Sequence, residues 1–243
     1  MKKKESERNP LSSPSCEAAI SNVTTTSGAG LWVILAKYGF YKEAHLYPSI
    51  VKHLKQFEYQ LKERGQCRYT RQTNININKD YTGQHHWLEL DNNPQDYYLV
   101  EFEKEKVVYS EIVRQPQFFY DTERFYVEAT SFLMTGECVK YICGLLNSSP
   151  VTYFFKNWYA GGGLGEEGYR YKKAFLKNLP IPPITSSNEP IVKQIEALVD
   201  KILAAKQQNP QTDTSGWEKE IDRLVYQLYD LTEEEIEIIE GGR

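Results

Sequence analysis

The sequence predicts an α+β fold, in which a mixed or antiparallel β-sheet packs against helices and a C-terminal helical segment follows. The middle of the chain, residues 97–134, is rich in β-branched and aromatic residues, which favour strands. Apolar residues recur at helical spacing on both sides of this stretch. The chain has 243 residues, 40% of them hydrophobic, so it is long enough to bury a sizeable core.

The first part of the chain is predicted to contain a leader and then a helix. Residues 1–30 are rich in Ser, Thr, Asn, Pro and Gly, which predicts a mostly disordered leader. Residues 31–40 are compatible with either a short strand or a helix. A helix is predicted over Pro48–Arg64, because Pro48 suits a first turn and Ile50, Leu54 and Leu61 share one face.

Residues 97–134 are predicted to form successive strands. Val107–Val113 is one strand, and Pro116 ends it or places it at a sheet edge. Gln117–Tyr120 and Arg124–Tyr126 flank Asp121-Thr122-Glu123, which is typical of a hairpin turn. Ala129–Met134 is a further strand.

Helices dominate the rest of the chain. One is predicted over Cys138–Asn147, and a second opens with Ser149 as N-cap and Pro150 as first helical residue. Beyond residue 183, two apolar stripes predict two more helices, and Thr232 begins a third with a capping box to Glu235. The predicted domains are a leader over 1–30, a main domain over 31–183 and a helical segment over 184–243 packed on it.

A formal GxGxxG pattern, Gly163, Gly165 and Gly168, does not indicate a dinucleotide site. A helix rather than a strand is predicted before it, and Glu166 and Glu167 would repel a pyrophosphate. No βαβ unit follows, since the Pro-rich Leu179–Pro183 intervenes. The better interpretation is a glycine loop leading into a basic segment.

The charge of −4 is unevenly distributed and argues against a general polyanion binder. Residues 184–243 carry −7, whereas residues 31–183 carry +2 and can still present a local basic face. Four cysteines without a CxxC pattern, and the lack of a signal or membrane-spanning run, predict a cytoplasmic protein with reduced thiols. The pair His85-His86 has no partners at metal-ligand spacing, so no metal site is predicted.

Two basic segments are candidates for contact with nucleic acid. Arg64–Lys79 has four basic residues, no acid and several amides, and such side chains bond base edges in the major groove. Tyr169–Lys177 is richer in lysine, which suits phosphate contacts. In each case a solvated polar surface remains the alternative. The candidate DNA-binding residues are Arg64, Arg68, Arg71, Gln72, Asn74, Lys79, Arg114, Gln115, Tyr169, Arg170, Lys172 and Lys173.

Several ordered blocks of the chain resemble a known family. Phe-Glu-Lys-x-Lys-Val-Val-Tyr-x-x-Ile over Phe102–Ile112, followed by Arg114-x-Pro116-x-Phe118, resembles the TaqI-like C-terminal specificity domain. The family usually has proline where this chain has Glu105. Further matching blocks extend the resemblance over about residues 48–240: Leu61–Arg64, Trp87 with Leu90, Gly144–Ser148, Gly161–Gly163, Tyr169-Arg170, Phe175-Leu176, Leu179–Pro182 and Leu231–Ile236. The Leu164–Glu167 insert lengthens the glycine loop relative to the family pattern.

The resemblance implies a target-recognition domain of type IIG restriction–modification enzymes and adenine-N6 DNA methyltransferases. Its partners would be double-stranded DNA and a methyltransferase or nuclease catalytic domain, in cis or in trans, with no membrane. S-adenosylmethionine, and Mg²⁺ for any nuclease, would bind in the catalytic domains. No cofactor is expected in this chain.

No catalytic pattern is recognised in the sequence, so we expect a specificity part without its catalytic part, either a fragment or the product of a split gene. The methyltransferase Asn/Asp-Pro-Pro-Tyr/Phe sequence is absent, as is a lysine two positions after an acid. No Gly-x-Ser-x-Gly elbow occurs either. The alternative hypothesis is a protein-interaction module, or a truncated remnant, in which acidic helices dock a partner and DNA is not bound.

Overall fold

The computed structural model describes residues 12–14, 32–64, 67, 85–127, 130–159 and 168–241. The described chain forms two compact units, one of 32–100 with 12–14 and the other from residue 101 onwards. The strands are β1 (Ser12–Pro14), β2 (Trp32–Ile34), β3 (Lys106–Ser110), β4 (Ile112–Val113), β5 (Phe118–Asp121), β6 (Ser131–Met134) and β7 (Tyr169–Arg170). The helices are α1 (Phe40–Glu43), α2 (Pro48–Lys55), α3 (Glu58–Lys62), α4 (Asp96–Phe102), α5 (Val139–Asn147), α6 (Ser149–Trp158), α7 (Lys173–Leu176), α8 (Glu189–Gln208), α9 (Ser215–Leu228) and α10 (Glu233–Gly241).

The first unit packs short helices around a small apolar cluster. The ambiguous segment 31–40 contains β2, and a turn at Gly39, with φ of 95°, leads from it into α1. Pro48 lies in the first turn of α2 as predicted. The predicted single helix over 48–64 is wrong, because the amides of Gln56 and Phe57 bond back three residues and tighten the turn between α2 and α3. Trp87 is buried and anchors the cluster.

The start of the predicted strand region is a helix instead. Residues 97–102 belong to α4, whose first turn is closed by amide hydrogen bonds from Tyr98 and Leu99 to the Gln95 carbonyl. Strand propensity is a weak preference and did not decide the structure of this segment. Phe102 is buried and stacks on Tyr126, with ring centroids 4.5 Å apart, whereas Tyr97 is 77% exposed.

The second unit is built on an antiparallel sheet in the order β5-β3-β6. Its central strand β3 is buried along Lys106–Tyr109, as two flanking strands and a covering helical layer require. The predicted hairpin between 117–120 and 124–126 is wrong, since residues 124–126 form no strand and β5 pairs with β3. The Asp121 carboxylate accepts the amide hydrogen bonds of Glu123 and Phe125, so this turn redirects the chain without making a hairpin.

A buried ion pair links the two strands β3 and β5. Lys106 Nζ lies 2.5 Å from Asp121 Oδ2, and both side chains are fully buried. Lys106 also donates to the Phe102 carbonyl at 2.8 Å. The buried lysine charge is therefore compensated by a carboxylate and a backbone carbonyl, as a charge removed from water requires.

Helix α5 packs on the sheet, and α6, α8 and α9 pack on α5, which confirms the predicted helical character of these segments. Asn147, at the end of α5, binds both backbone groups of Phe118: its Oδ1 accepts from the amide at 3.1 Å and its Nδ2 donates to the carbonyl at 2.8 Å. The N-cap of α6 is Ser148, one residue before the predicted Ser149. The Ser149 amide instead donates to Asp222 of α9 at 2.7 Å.

The C-terminal helices α8 and α9 lie where the apolar stripes predicted them, and α10 begins after Thr232 as predicted. The capping box at α10 is confirmed, because Glu235 accepts from the Thr232 amide at 2.8 Å and donates its own amide to the Thr232 hydroxyl. These helices pack on α5 and α6 within the second unit. The predicted domain limits stay a prediction, and the leader over 1–30 lies outside the described residues except for β1.

Candidate nucleic-acid interface

A two-stranded ribbon of β4 and β7 brings together two segments that are far apart in the sequence. Its antiparallel register pairs Ile112 with Arg170 and Val113 with Tyr169. The Tyr171 amide extends the ladder by donating to the Glu111 carbonyl at 2.8 Å. Candidate residues of the 114–115 segment and of the 169–173 segment therefore lie next to each other.

One face of the ribbon is buried and fixes its position. Val113 and Tyr169 are each 5% exposed, and Tyr169 Oη lies 3.2 Å from Tyr171 Oη. Burial raises the pKa of both tyrosines, and the hydroxyl pair stays protonated at neutral pH. This buried position argues against the predicted DNA contact by Tyr169. The ring instead anchors the ribbon in the core and so orients Arg170.

The other face of the ribbon carries positive charge. Arg170 is on the outward side opposite the 58% exposed Ile112, and its guanidinium lies 3.9 Å from the Glu111 carboxylate. Alternation along β4 places the exposed Arg114 beyond Val113 at the same end. Lys172 and Lys173 are exposed and begin α7.

A further lysine, which the sequence analysis missed, lies on α6 next to Tyr169 of the ribbon. Lys156 Nζ lies 4.9 Å from the centroid of the Tyr169 ring, a cation–π contact. The sequence carried no clear signal for it, because Lys156 and Tyr169 become neighbours only through folding. We call the set Arg114, Lys156, Arg170, Lys172 and Lys173 the basic ribbon. One ion pair of this set is found among the described residues, that of Arg170 with the Glu111 carboxylate.

Arg64 does not face solvent with a free guanidinium. It donates to the carbonyls of Leu61, Trp87 and Glu89 at 3.0, 2.8 and 2.6 Å, and its remaining nitrogen lies 3.1 Å from the Asp91 carboxylate. With its donors engaged inside the first unit, Arg64 holds the 85–91 turn in place. A DNA contact by Arg64 stays a prediction, and this geometry favours the structural role.

The remaining candidates divide into two groups. Gln115 is exposed and lines a cleft of about 500 Å³ between the β4–β5 connection and helices α5, α8 and α9. Arg68, Arg71, Gln72, Asn74 and Lys79 lie outside the described residues, and their assignment as DNA contacts stays a prediction. Within the described ranges, no group of three or more His, Cys, Asp and Glu side chains is arranged to hold a metal ion.

The basic ribbon is a local cluster of exposed arginine and lysine on an α+β body, and side chains of this kind can contact phosphates. Residues 66–181 match the family of the TaqI-like C-terminal specificity domain. The match covers slightly less than half of the chain and includes the sheet, α5, α6 and the basic ribbon. It confirms the resemblance over these residues and supports a DNA-recognition domain of restriction–modification enzymes in this segment.

No curated protein sequence matches the chain. In the described parts of the chain, every helix is too short or too polar to cross a bilayer.

Proposed function

We propose that this chain recognises a short duplex DNA target and positions on it the catalytic domain of an adenine-N6 DNA methyltransferase of the type IIG kind. The observation that carries the proposal is the basic ribbon, because it lies inside the segment that matches a specificity domain. The catalytic domain, in cis or in trans, would bind S-adenosylmethionine and flip the adenine. Any nuclease in the parent enzyme would use Mg²⁺ there.

The two basic segments would divide the work of binding. The basic ribbon is rich in lysine and stands on a rigid support, which suits phosphate contacts that set orientation. Residues 68–79 combine Arg68 and Arg71 with Gln72 and Asn74, side chains that discriminate guanine and adenine edges. The exposed Arg114 and Gln115 are the alternative site of base readout.

Duplex binding by the full chain, measured over a salt series, tests this proposal. A selection from random duplexes first supplies a preferred target, and a scrambled duplex serves as reference. Replacing Lys172 and Lys173 by alanine should weaken binding to both duplexes and lower the salt slope by about one per lost phosphate contact. The matched control replaces Lys201, an exposed lysine of α8, by alanine. This replacement should change neither the affinity for the duplexes nor the salt slope.

Alanine at Arg68 or Arg71 should act differently. If the arginine makes a bidentate contact with guanine, binding to the preferred duplex falls by about 1–3 kcal/mol and selectivity is lost. Equal losses on both duplexes would move base readout to Arg114 and Gln115. A salt slope unchanged by the Lys172 and Lys173 replacements would contradict the role of the basic ribbon.

Catalysis by this chain alone is not expected, because it lacks the adenine-binding sequence of the methyltransferases. Pure chain incubated with duplex DNA and labelled S-adenosylmethionine should transfer no methyl group. Transfer should appear when the methyltransferase partner is added. Clear incorporation by the chain alone would overturn the proposed division between recognition and catalysis.

A further inference from the structure

A preformed apolar groove lies between α6 and α10, inside the second unit. Its volume is about 480 Å³, and it is lined by side chains that include Val151, Phe154, Trp158, Leu179, Ile238 and Ile239. One wall is pinned by Tyr229, whose hydroxyl donates to the Pro180 carbonyl at 3.0 Å. Such a fixed wall means that a ligand would not have to order the groove on binding.

Two large apolar side chains stand exposed at this groove. Trp158 is 63% exposed and stacks on Phe154, one helical turn earlier, with ring centroids 4.9 Å apart. Ile238 of α10 is 58% exposed. A tryptophan beside an apolar cleft is the kind of residue that dominates binding energy at protein interfaces.

The rim of the groove on the α10 side is strongly acidic. Residues 230–241 contain six carboxylates and no lysine or arginine. Glu234 lies one turn before Ile238, so it flanks the exposed apolar residue on the same side of the helix. The ion pairs found among the described residues do not involve Glu233, Glu234 or Glu237.

We infer that this groove binds an amphipathic α-helix of a partner protein, with an apolar stripe on one face and lysine or arginine along its flanks. The stripe would cover Trp158 and Ile238, and the basic flank would meet Glu234 and Glu237. Nucleic acid and anionic membranes do not fit, because both would be repelled by the rim. A second copy docked symmetrically fits poorly, since it would bring two acidic α10 helices together.

The test uses the full chain and a labelled synthetic peptide of about 18 residues, which is five helical turns, built from leucine and lysine at helical spacing. Two reference peptides have the same leucine and lysine residues in scrambled order, or glutamate in place of lysine. Binding is followed by fluorescence anisotropy at physiological ionic strength. The amphipathic basic peptide should bind saturably, and at least about tenfold more tightly than either reference.

Four variants locate the site. Trp158→Ala and Ile238→Ser should each reduce affinity at least about tenfold, the size expected for central interface residues. The double variant Glu234→Gln, Glu237→Gln should reduce affinity at low salt and lose most of its effect at high salt, because its contribution is electrostatic. Tyr97→Ala removes a 77% exposed tyrosine from α4 and should leave binding unchanged. The replaced side chains are exposed, so circular dichroism should report an intact fold.

Several outcomes would overturn the inference. Equal binding of the glutamate peptide, unchanged affinity in Trp158→Ala and Ile238→Ser, or no saturable binding of the basic peptide would each do so. Sedimentation of the chain alone that shows a dimer lost in Ile238→Ser would assign the groove to a second copy. The inference does not rest on DNA binding: the basic ribbon variants should bind the peptide as the parent chain does.

Discussion

A single methyl group added at Gly144 should destabilise the protein, because α5 and α8 approach closely there. A Cβ atom at this position would lie 2.5 Å from Ile195 Cγ2 and 3.3 Å from Val199 Cγ2. Ile195 is fully buried, and its β-branched side chain is held to one rotamer by the helix. The first contact is too short for real atoms, so the two helices would have to move apart.

The expected change in the free energy of unfolding follows from two opposing effects. Overpacking a tight core costs about 1–3 kcal/mol, and the short contact places Gly144→Ala at the upper end. Replacing glycine by alanine inside a helix stabilises the folded state by about 1 kcal/mol, because alanine has the higher helix propensity. We therefore expect Gly144→Ala to lower stability by about 2 kcal/mol.

Gly216 provides a matched control, since it also lies in a helix but has no atom within 4 Å of an added Cβ. Gly216→Ala should raise stability by a few tenths to about 1 kcal/mol. Urea denaturation followed by circular dichroism measures both variants. The double variant Gly144→Ala, Ile195→Leu removes the obstructing methyl and should be more stable than the sum of the single effects. A neutral or stabilising Gly144→Ala would refute the close approach.

Three further predictions concern other parts of the second unit. Lys106→Met should cost about 3–5 kcal/mol in urea denaturation, because it leaves the buried Asp121 carboxylate without its counter-charge; a cost below about 1 kcal/mol would contradict this account. Burial raises the pKa of the Cys143 thiol from 9.0 to about 12, and that of the Tyr229 hydroxyl from 10.0 to about 12. Because the folded state holds these protons more tightly than the unfolded state, the two groups contribute their full stability below pH 9.0. This contribution is lost as the pH rises towards 12. The urea midpoint should accordingly fall over this alkaline range, and a flat profile would speak against it. Thr232→Ala should lower stability by about 0.5–2 kcal/mol through loss of the α10 capping box, with Thr232→Ser close to the parent in the same assay.

Local patterns in the sequence were sufficient for much of the helical structure. The apolar stripes after residue 183 predicted α8 and α9, and Thr232 with Glu235 predicted the start of α10, because these signals act between residues close in the chain. The structure also explains two residues of the Gly-Leu-Leu-Asn-Ser block, Gly144–Ser148. Its glycine allows α8 to approach α5, and its asparagine binds the backbone of Phe118.

Strand pairing and the composition of the candidate site were decided by tertiary structure. The sequence suggested a hairpin from residue 117 to residue 126, but β5 pairs with β3, where Val107 and Val108 are buried. Residues 97–102 have strand propensity and yet form a helix. Propensity is a weak preference that packing over long distances in the chain readily outweighs.

By itself, the sequence determined the fold class, the family resemblance and the basic character of the two segments. Only the tertiary structure decided that Arg170 lies opposite Ile112 and near Arg114, that Tyr169 is buried, and that Arg64 is engaged within its own unit. The physical reason is that charge type is a local property, whereas exposure and neighbourhood arise from pairing between distant segments. Bringing distant segments together has an entropic cost of loop closure that local sequence patterns do not report.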